Sequence, residues 1–175
     1  MPEQSINKLK INPNVSVDCV VFGYSNEKLK VLLIKRKSIE NVSTEQFALP
    51  GDLVQENESL DEAAEKILYN LTKLQGIYLK QFHTFGDPHR VKAIKDQEWL
   101  RAFRKEPEAR VITVAYFALV KSEDYEPQAS SFAGESQWTS IGEIPTLAFD
   151  HNDILNEAYK HLKDELIDKQ IGFEL

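Results

Sequence analysis

Apolar positions along the chain recur at two spacings, about two residues and about 3.6 residues, and the changeovers mark the predicted elements. SVDCVVFGYSN (16–26) alternates and is β-branched, which predicts a strand over about 16–24. SNEK makes a turn, and LKVLLIKRK (29–37) predicts a second strand ending in basic residues, so the pair reads as a hairpin. SIENVSTEQ (38–46) is polar and reads as a loop. FALPGDLV (47–54) is a short strand broken by the turn signal Pro50-Gly51. Leu60, Ala63, Ala64, Ile67, Leu68, Leu71 and Leu74 then fall at helical spacing. Ser59 and Glu62 form the capping box S-x-x-E, so the pattern predicts a helix over about 60–72. IYLKQFHTFGD (77–87) reads as a strand running into a loop. Ile94, Trp99, Ala102 and Phe103 lie near helical spacing and predict a short amphipathic helix within a long loop. VITVAYFALV (111–120) is the most strand-like run and is expected to be central. ESQWTSI (135–141) is another short strand, and Ile154, Leu155, Ala158, Tyr159, Leu162 and Leu166 predict a closing helix from Asp150 or His151 to about Lys169.

These elements form one domain over 15–175 behind a polar arm at 1–14, with no internal repeat, low-complexity tract or interdomain linker. A length of 175 residues suits a single sizeable core. The net charge of −7 disfavours nucleic acid and anionic membranes as partners. It also opposes long-range steering of a polyphosphate, so an anionic ligand would need a local basic pocket. The single cysteine, Cys19, sits in an apolar run, where it reads as a small buried hydrophobe. No apolar run reaches the roughly 20 residues needed to span a bilayer, and the first residues carry no signal-peptide core. A soluble cytoplasmic protein is expected. The apolar ending IGFEL hints at a domain cut from a longer chain.

LPGDLVQENESLDEAAEKILYNLTKL (49–74) resembles the signature of the Nudix superfamily, G-x5-E-x7-R-E-U-x-E-E-x-G-U with U apolar, in one register. Asp52 takes the first Gly position with Gly51 just before it, and Glu58 matches the next Glu. Lys66 stands for Arg, Lys73 for the last Gly, and Leu68 and Leu74 match the apolar positions. The three helix glutamates fall on Ile67, Asn70 and Leu71. In the family those carboxylates hold Mg²⁺ or Mn²⁺ against a diphosphate, and hard cations need such oxygen ligands. Positions i, i+3 and i+4 share one helix face, and here that face is apolar plus one amide. The box is therefore degenerate, leaving no catalytic residue beyond a residual Glu58. No metal or cofactor is expected unless hydrolysis proceeds with unconventional Mg²⁺ ligands.

FHTFGDPHR (82–90), VITVAYFALV and LAFDHNDILNEA (147–158) resemble more narrowly the N-terminal sensor domain of NrtR-like bacterial transcription regulators and their sugar-responsive AraR-like relatives. The resemblance implies an α+β Nudix fold, a mixed sheet sandwiched between helices. It implies a homodimer that binds a sugar or nucleotide sugar, such as ADP-ribose or a pentose, and reaches DNA only through a following winged helix-turn-helix. Residues 91–109 resemble no part of that family and read as an insertion.

The candidate ligand-binding residues are Arg36, Phe47, Phe82, Phe85, Asp87, His89, Arg90 and Tyr116. Arg90 is suited to grip a phosphate or sugar hydroxyls through its planar fork; a loop salt bridge to Asp87 is the plain alternative. Arg36 either points to the pocket rim or is a solvated strand end. Phe47 and Tyr116 are pocket wall or core. Asp150 and His151 read as a helix N-cap, or as groups shaping an interface or ligand site. Trp99 and Phe103 cap the pocket, meet a sister subunit, or pack on their own domain. A Nudix hydrolase acting on an ADP-ribose-like nucleoside diphosphate is the main alternative, and a dimerisation module without ligand is the third.

Overall fold

The longest alternating runs become the middle of a seven-stranded mixed sheet. A computed structural model describes residues 14–38 and 46–173, with side chains through 168. The polar arm up to residue 13, most of the 38–46 loop and the end of IGFEL lie outside the described residues. Asn14, expected in the arm, already pairs with Val111.

Strand β1 (Asn14–Ser25) turns at Asn26 and Glu27 into β2 (Lys28–Arg36), the expected hairpin. Both turn residues take positive φ, the geometry that lets a two-residue loop match the twist of its strands. Pro50 separates the short β3 (Phe47–Ala48) from β4 (Gly51–Leu53). Helix α1 (Leu60–Thr72) carries the complete capping box at Ser59 and Glu62. It ends at Lys73 with φ of 60°, a left-handed conformation that glycine adopts more easily. β5 (Lys80–Phe85), α2 (Ile94–Phe103), β6 (Val111–Lys121), β7 (Ala133–Ser140) and α3 (His151–Phe173) complete the order.

β1 and β6 run parallel along eleven paired positions, from Asn14 with Val111 to Tyr24 with Lys121. β5 flanks β6, and β2 carries both β3 and β7. Alternation sends Cys19 and Val21 to one face, against Ile67, Leu68 and Leu71 of α1. It sends Val20 and Phe22 to the other, against Ile154, Leu155 and Ala158 of α3. The sheet is therefore sandwiched between two helical layers, as the α+β expectation had it. Each fully buried Leu, Ile or Phe contributes about 1.5–3 kcal/mol to that sandwich. A third, smaller cluster of Val91, Trp99 and Leu100 packs on Phe132 and Phe149.

One placement differs from the sequence reading, and two alternatives it left open are decided. α2 was expected to bury Ile94, Trp99, Ala102 and Phe103. It buries Asp96, Gln97, Trp99 and Leu100 instead, and Ile94 is 80% exposed. Its polar groups are inward because they meet polar partners there: Gln97 donates to the carbonyls of Val91 (2.7 Å) and Pro107 (3.1 Å), closing the insertion on itself. Tyr116 is core on the α1 side, its hydroxyl donating to Asp61 (2.7 Å). Asp150 begins α3 through its carbonyl, which accepts from Ile154 N–H (3.1 Å), while its carboxylate turns to Arg90 rather than capping the first turn.

Candidate functional site: an arginine-lined cavity under α2

β1 pairs with β2 only from Phe22 to Ser25, and with β4 only from Ser16 to Asp18. Between those two pairings the strands diverge, and the gap opens a cavity roofed by α2. Gly51 sets its floor. A Cβ there would lie 1.9 Å from Asp18 Oδ1 and 2.8 Å from the Val17 carbonyl, so only glycine lets β4 approach this closely. The cavity volume is about 60 Å³, and its lining includes Asp18, Arg36, Asp52, Arg90, Trp99, Arg104, Phe132, Phe149 and His151. Three arginines thus converge on one cavity of a chain whose net charge is −7.

Two buried ion networks hold this lining. In the first, Arg90 grips Asp150 with a two-pronged contact, Nε to Oδ2 at 2.9 Å and Nη2 to Oδ1 at 2.8 Å. Its Nη2 also lies 3.7 Å from Asp18 Oδ2. Asp18 accepts from the Thr113 hydroxyl (2.6 Å), and its other oxygen sits 3.3 Å from His151 Nε2. The Leu49 backbone N–H donates to His151 Nδ1 at 2.9 Å. Nδ1 must therefore be unprotonated, leaving the imidazole proton on Nε2, toward Asp18. Burial pushes the His151 pKa below its ordinary value while the Asp18 charge opposes that shift, so the ring is neutral at pH 7.

In the second network the Arg36 guanidinium lies against two rings set nearly at right angles, 4.8 Å from Trp99 and 5.1 Å from Phe149. Nη2 donates to Gln46 Oε1 at 2.7 Å, and Nη1 reaches Asp96 Oδ1 of α2 at 3.5 Å. Burial lowers the Arg36 pKa from its ordinary value and Asp96 opposes the shift. Arg36 Nε and Trp99 Nε1 are buried donors with no hydrogen-bond partner among the described residues. Each such donor costs about 1–3 kcal/mol. Arg104, just past α2, pairs with Asp52 Oδ1 at 2.7 Å and lies 5.9 Å from the Trp99 ring.

Among the eight candidate ligand residues, Arg36 and Arg90 line this cavity together. Phe85, Asp87, His89 and Arg90 also line a separate, larger cavity of about 440 Å³ with His83, Asp150 and Asp153. Phe82 packs in the α3-side core, edge-on to Phe117, and Phe47 is partly buried beside the same core. Asp87 does not pair with Arg90; its carboxylate accepts the His89 N–H at 2.7 Å. The sequence reading passed over Asp18, Asp96 and Arg104 and left Phe149 unused. Asp18 did carry a signal: it is the one charged residue in the apolar run VDCVVFGY.

The box positions do not fit a metal ion. Ile67 and Leu71 are buried in the α1-side core, and Asn70 is exposed. Glu58 is committed to Lys66 and to the Gln55 N–H, and the Lys66 contact holds its carboxyl below the usual range. Glu62 is committed to the Ser59 N–H. Among the described residues no group of three His, Cys, Asp or Glu side chains is arranged to hold a metal.

No helix among the described residues is long and apolar enough to cross a membrane. The chain is 28% identical over 158 residues to the ADPR responsive transcriptional repressor NtrR of Acinetobacter baylyi, covering 88% of this chain and 56% of that protein. It is 28% identical over 150 residues to an ADP-ribose pyrophosphatase of Methanocaldococcus jannaschii, covering 86% of this chain and 75% of that enzyme. The NUDIX domain of Shewanella oneidensis NrtR, solved with ADP ribose, superposes with a TM-score of 0.69 at 25% identity, covering 86% of this chain and 89% of that one. The family model for the NUDIX domain matches residues 12–162, and the chain belongs to that family.

Proposed function

We propose that this chain is the effector-sensing Nudix domain of a bacterial transcription regulator and that its effector is ADP-ribose or a close nucleotide sugar. The observation carrying this reading is the split fate of the Nudix framework. The helix positions that would hold a metal have become core, at Ile67 and Leu71. Three arginines and an aromatic wall still face one cavity. That surface suits gripping a phosphate-bearing ligand and lacks the means to activate water through a metal. The repressor relative and the ADP-ribose-bound neighbour favour this ligand class. In the regulator two such domains would pair, and DNA contact would belong to a separate domain. The acidic chain itself is expected to give no mobility shift with DNA at moderate salt.

The cavity, at about 60 Å³, is far below the roughly 300–1,000 Å³ of typical small-molecule sites, so binding requires its roof to move. A thermal-shift panel of ADP-ribose, NAD, arabinose and xylose, each with EDTA and with Mg²⁺, tests the reading. ADP-ribose is expected to raise Tm equally in both conditions, since saturation at 100 times Kd adds about 2.7 kcal/mol to the native state. No shift with any of them, or a shift that requires Mg²⁺, contradicts it. The archaeal pyrophosphatase relative supports a second reading, hydrolysis of ADP-ribose. Mg²⁺-dependent release of AMP, lost in Glu58→Gln, would establish that one instead.

A further inference from the structure

The roof over the cavity brings its own anion. The Arg36 and Asp96 side chains are each only 1% exposed, yet their closest contact is long, at 3.5 Å. The same carboxylate also accepts the Phe149 N–H, at 3.2 Å through either oxygen. A guanidinium held against aromatic rings presents its donor edge to a carboxylate or a phosphate in the same geometry. Here that edge is only partly used, because Arg36 Nε has no partner among the described residues, and neither does the neighbouring Trp99 Nε1.

α2 is anchored through Trp99 and Leu100, which pack on Phe132 and Phe149, while its N-terminal end is held less: the N-cap, Ala93, supplies no side-chain hydrogen bond, and Ile94 is exposed. Two ion pairs secure it to the cavity lining, Asp96 on Arg36 and Arg104 on Asp52.

We propose that Asp96 is an internal competitor for the ligand's anionic group, occupying Arg36 while the cavity is closed and giving way when a phosphate takes the guanidinium. This rests on the reading of the cavity as the effector site. Binding would then loosen the Asp96 end of α2 instead of clamping it down. A neutral pentose has no charge with which to displace a buried carboxylate, so the device selects phosphate-bearing ligands. The position of the 91–109 insertion becomes the signal that the site is filled.

Amide hydrogen exchange on this chain, with and without ADP-ribose in EDTA, tests the proposal alongside calorimetric titration of wild type and Asp96→Asn. The amides of Ile94–Phe103 are expected to exchange faster with ADP-ribose, the opposite of ordinary ligand protection. Asp96→Asn keeps an acceptor for the Phe149 N–H but removes the competing charge. It should bind ADP-ribose more tightly by on the order of tenfold, as for a site held closed about nine-tenths of the time. If ADP-ribose binds while those amides are unchanged or protected, or if Asp96→Asn binds no more tightly, Asp96 is not a competitor and the effector reading stands. If neither protein binds ADP-ribose, both fall. Should Asp96→Asn fail to fold, the exchange experiment on the unaltered chain decides alone.

Discussion

Asp18 is a carboxylate in the middle of a buried strand, and its charge is met by three groups from distant parts of the chain: Thr113, His151 and Arg90. Arg90 is the hinge of that arrangement because it also carries Asp150. Arg90→Ala would leave one buried carboxylate, Asp18, and one part-buried carboxylate, Asp150, without their cation. We expect it to destabilise the fold by about 3–5 kcal/mol, read as a lowered midpoint in urea unfolding. His151 adds a pH dependence. Its folded-state pKa lies below the ordinary 6.5, so below about that pH the unfolded chain takes up a proton that the native ring refuses. The stability from His151 is therefore complete above 6.5 and declines as pH falls toward the depressed value. His151→Asn, which can still accept the Leu49 N–H, should flatten the slope of unfolding free energy between pH 7 and 5; an unchanged slope would place the titration elsewhere. Arg90 was singled out as a basic group beside aromatic residues, and Arg36 because alternation at the end of its strand sets it opposite its neighbours. Their partners were not, since Arg90 and Asp150 stand sixty residues apart and Asp87 lies much nearer in sequence.

At the scale of elements, legibility followed local determination. The α1 boundaries were readable from Ser59, Glu62 and the leucine spacing, because cap and stripe are both short-range. The pleat of β1 was readable because its alternation is distributed over two core layers. α2 was found as a helix but turned to the wrong face. Apolar spacing marks the whole buried face only when what covers it is apolar; α2 meets Phe132 and Phe149 through Trp99 and Leu100, but Arg36 and backbone carbonyls through Asp96 and Gln97. The same core logic bears on the box. Restoring a family carboxylate with Ile67→Glu would put a charge where the native side chain is 3% exposed. It should lower stability by several kcal/mol, as expected for an unpaired buried charge, and should not create Mg²⁺-dependent turnover. A variant that folds at wild-type stability and releases AMP would show that α1 sits differently.

For the whole molecule, the chain belongs to the Nudix family, and α2 adds Trp99 and Leu100 to the lining of the cavity. The mixed sheet and its sandwiching helices were within reach of the sequence because the resemblance spans nearly the whole chain. How far the cavity closes was not, since closure depends on two ion pairs that join the insertion to β2 and β4. The central claim is that the domain binds a nucleotide sugar without metal and leaves it intact. Calorimetric titration of ADP-ribose in EDTA, followed by chromatography of the recovered ligand after incubation with Mg²⁺, tests it most directly. Saturable heat in EDTA and unaltered ADP-ribose afterwards are the predicted result. Binding only with Mg²⁺, or conversion to AMP and ribose 5-phosphate, would contradict it.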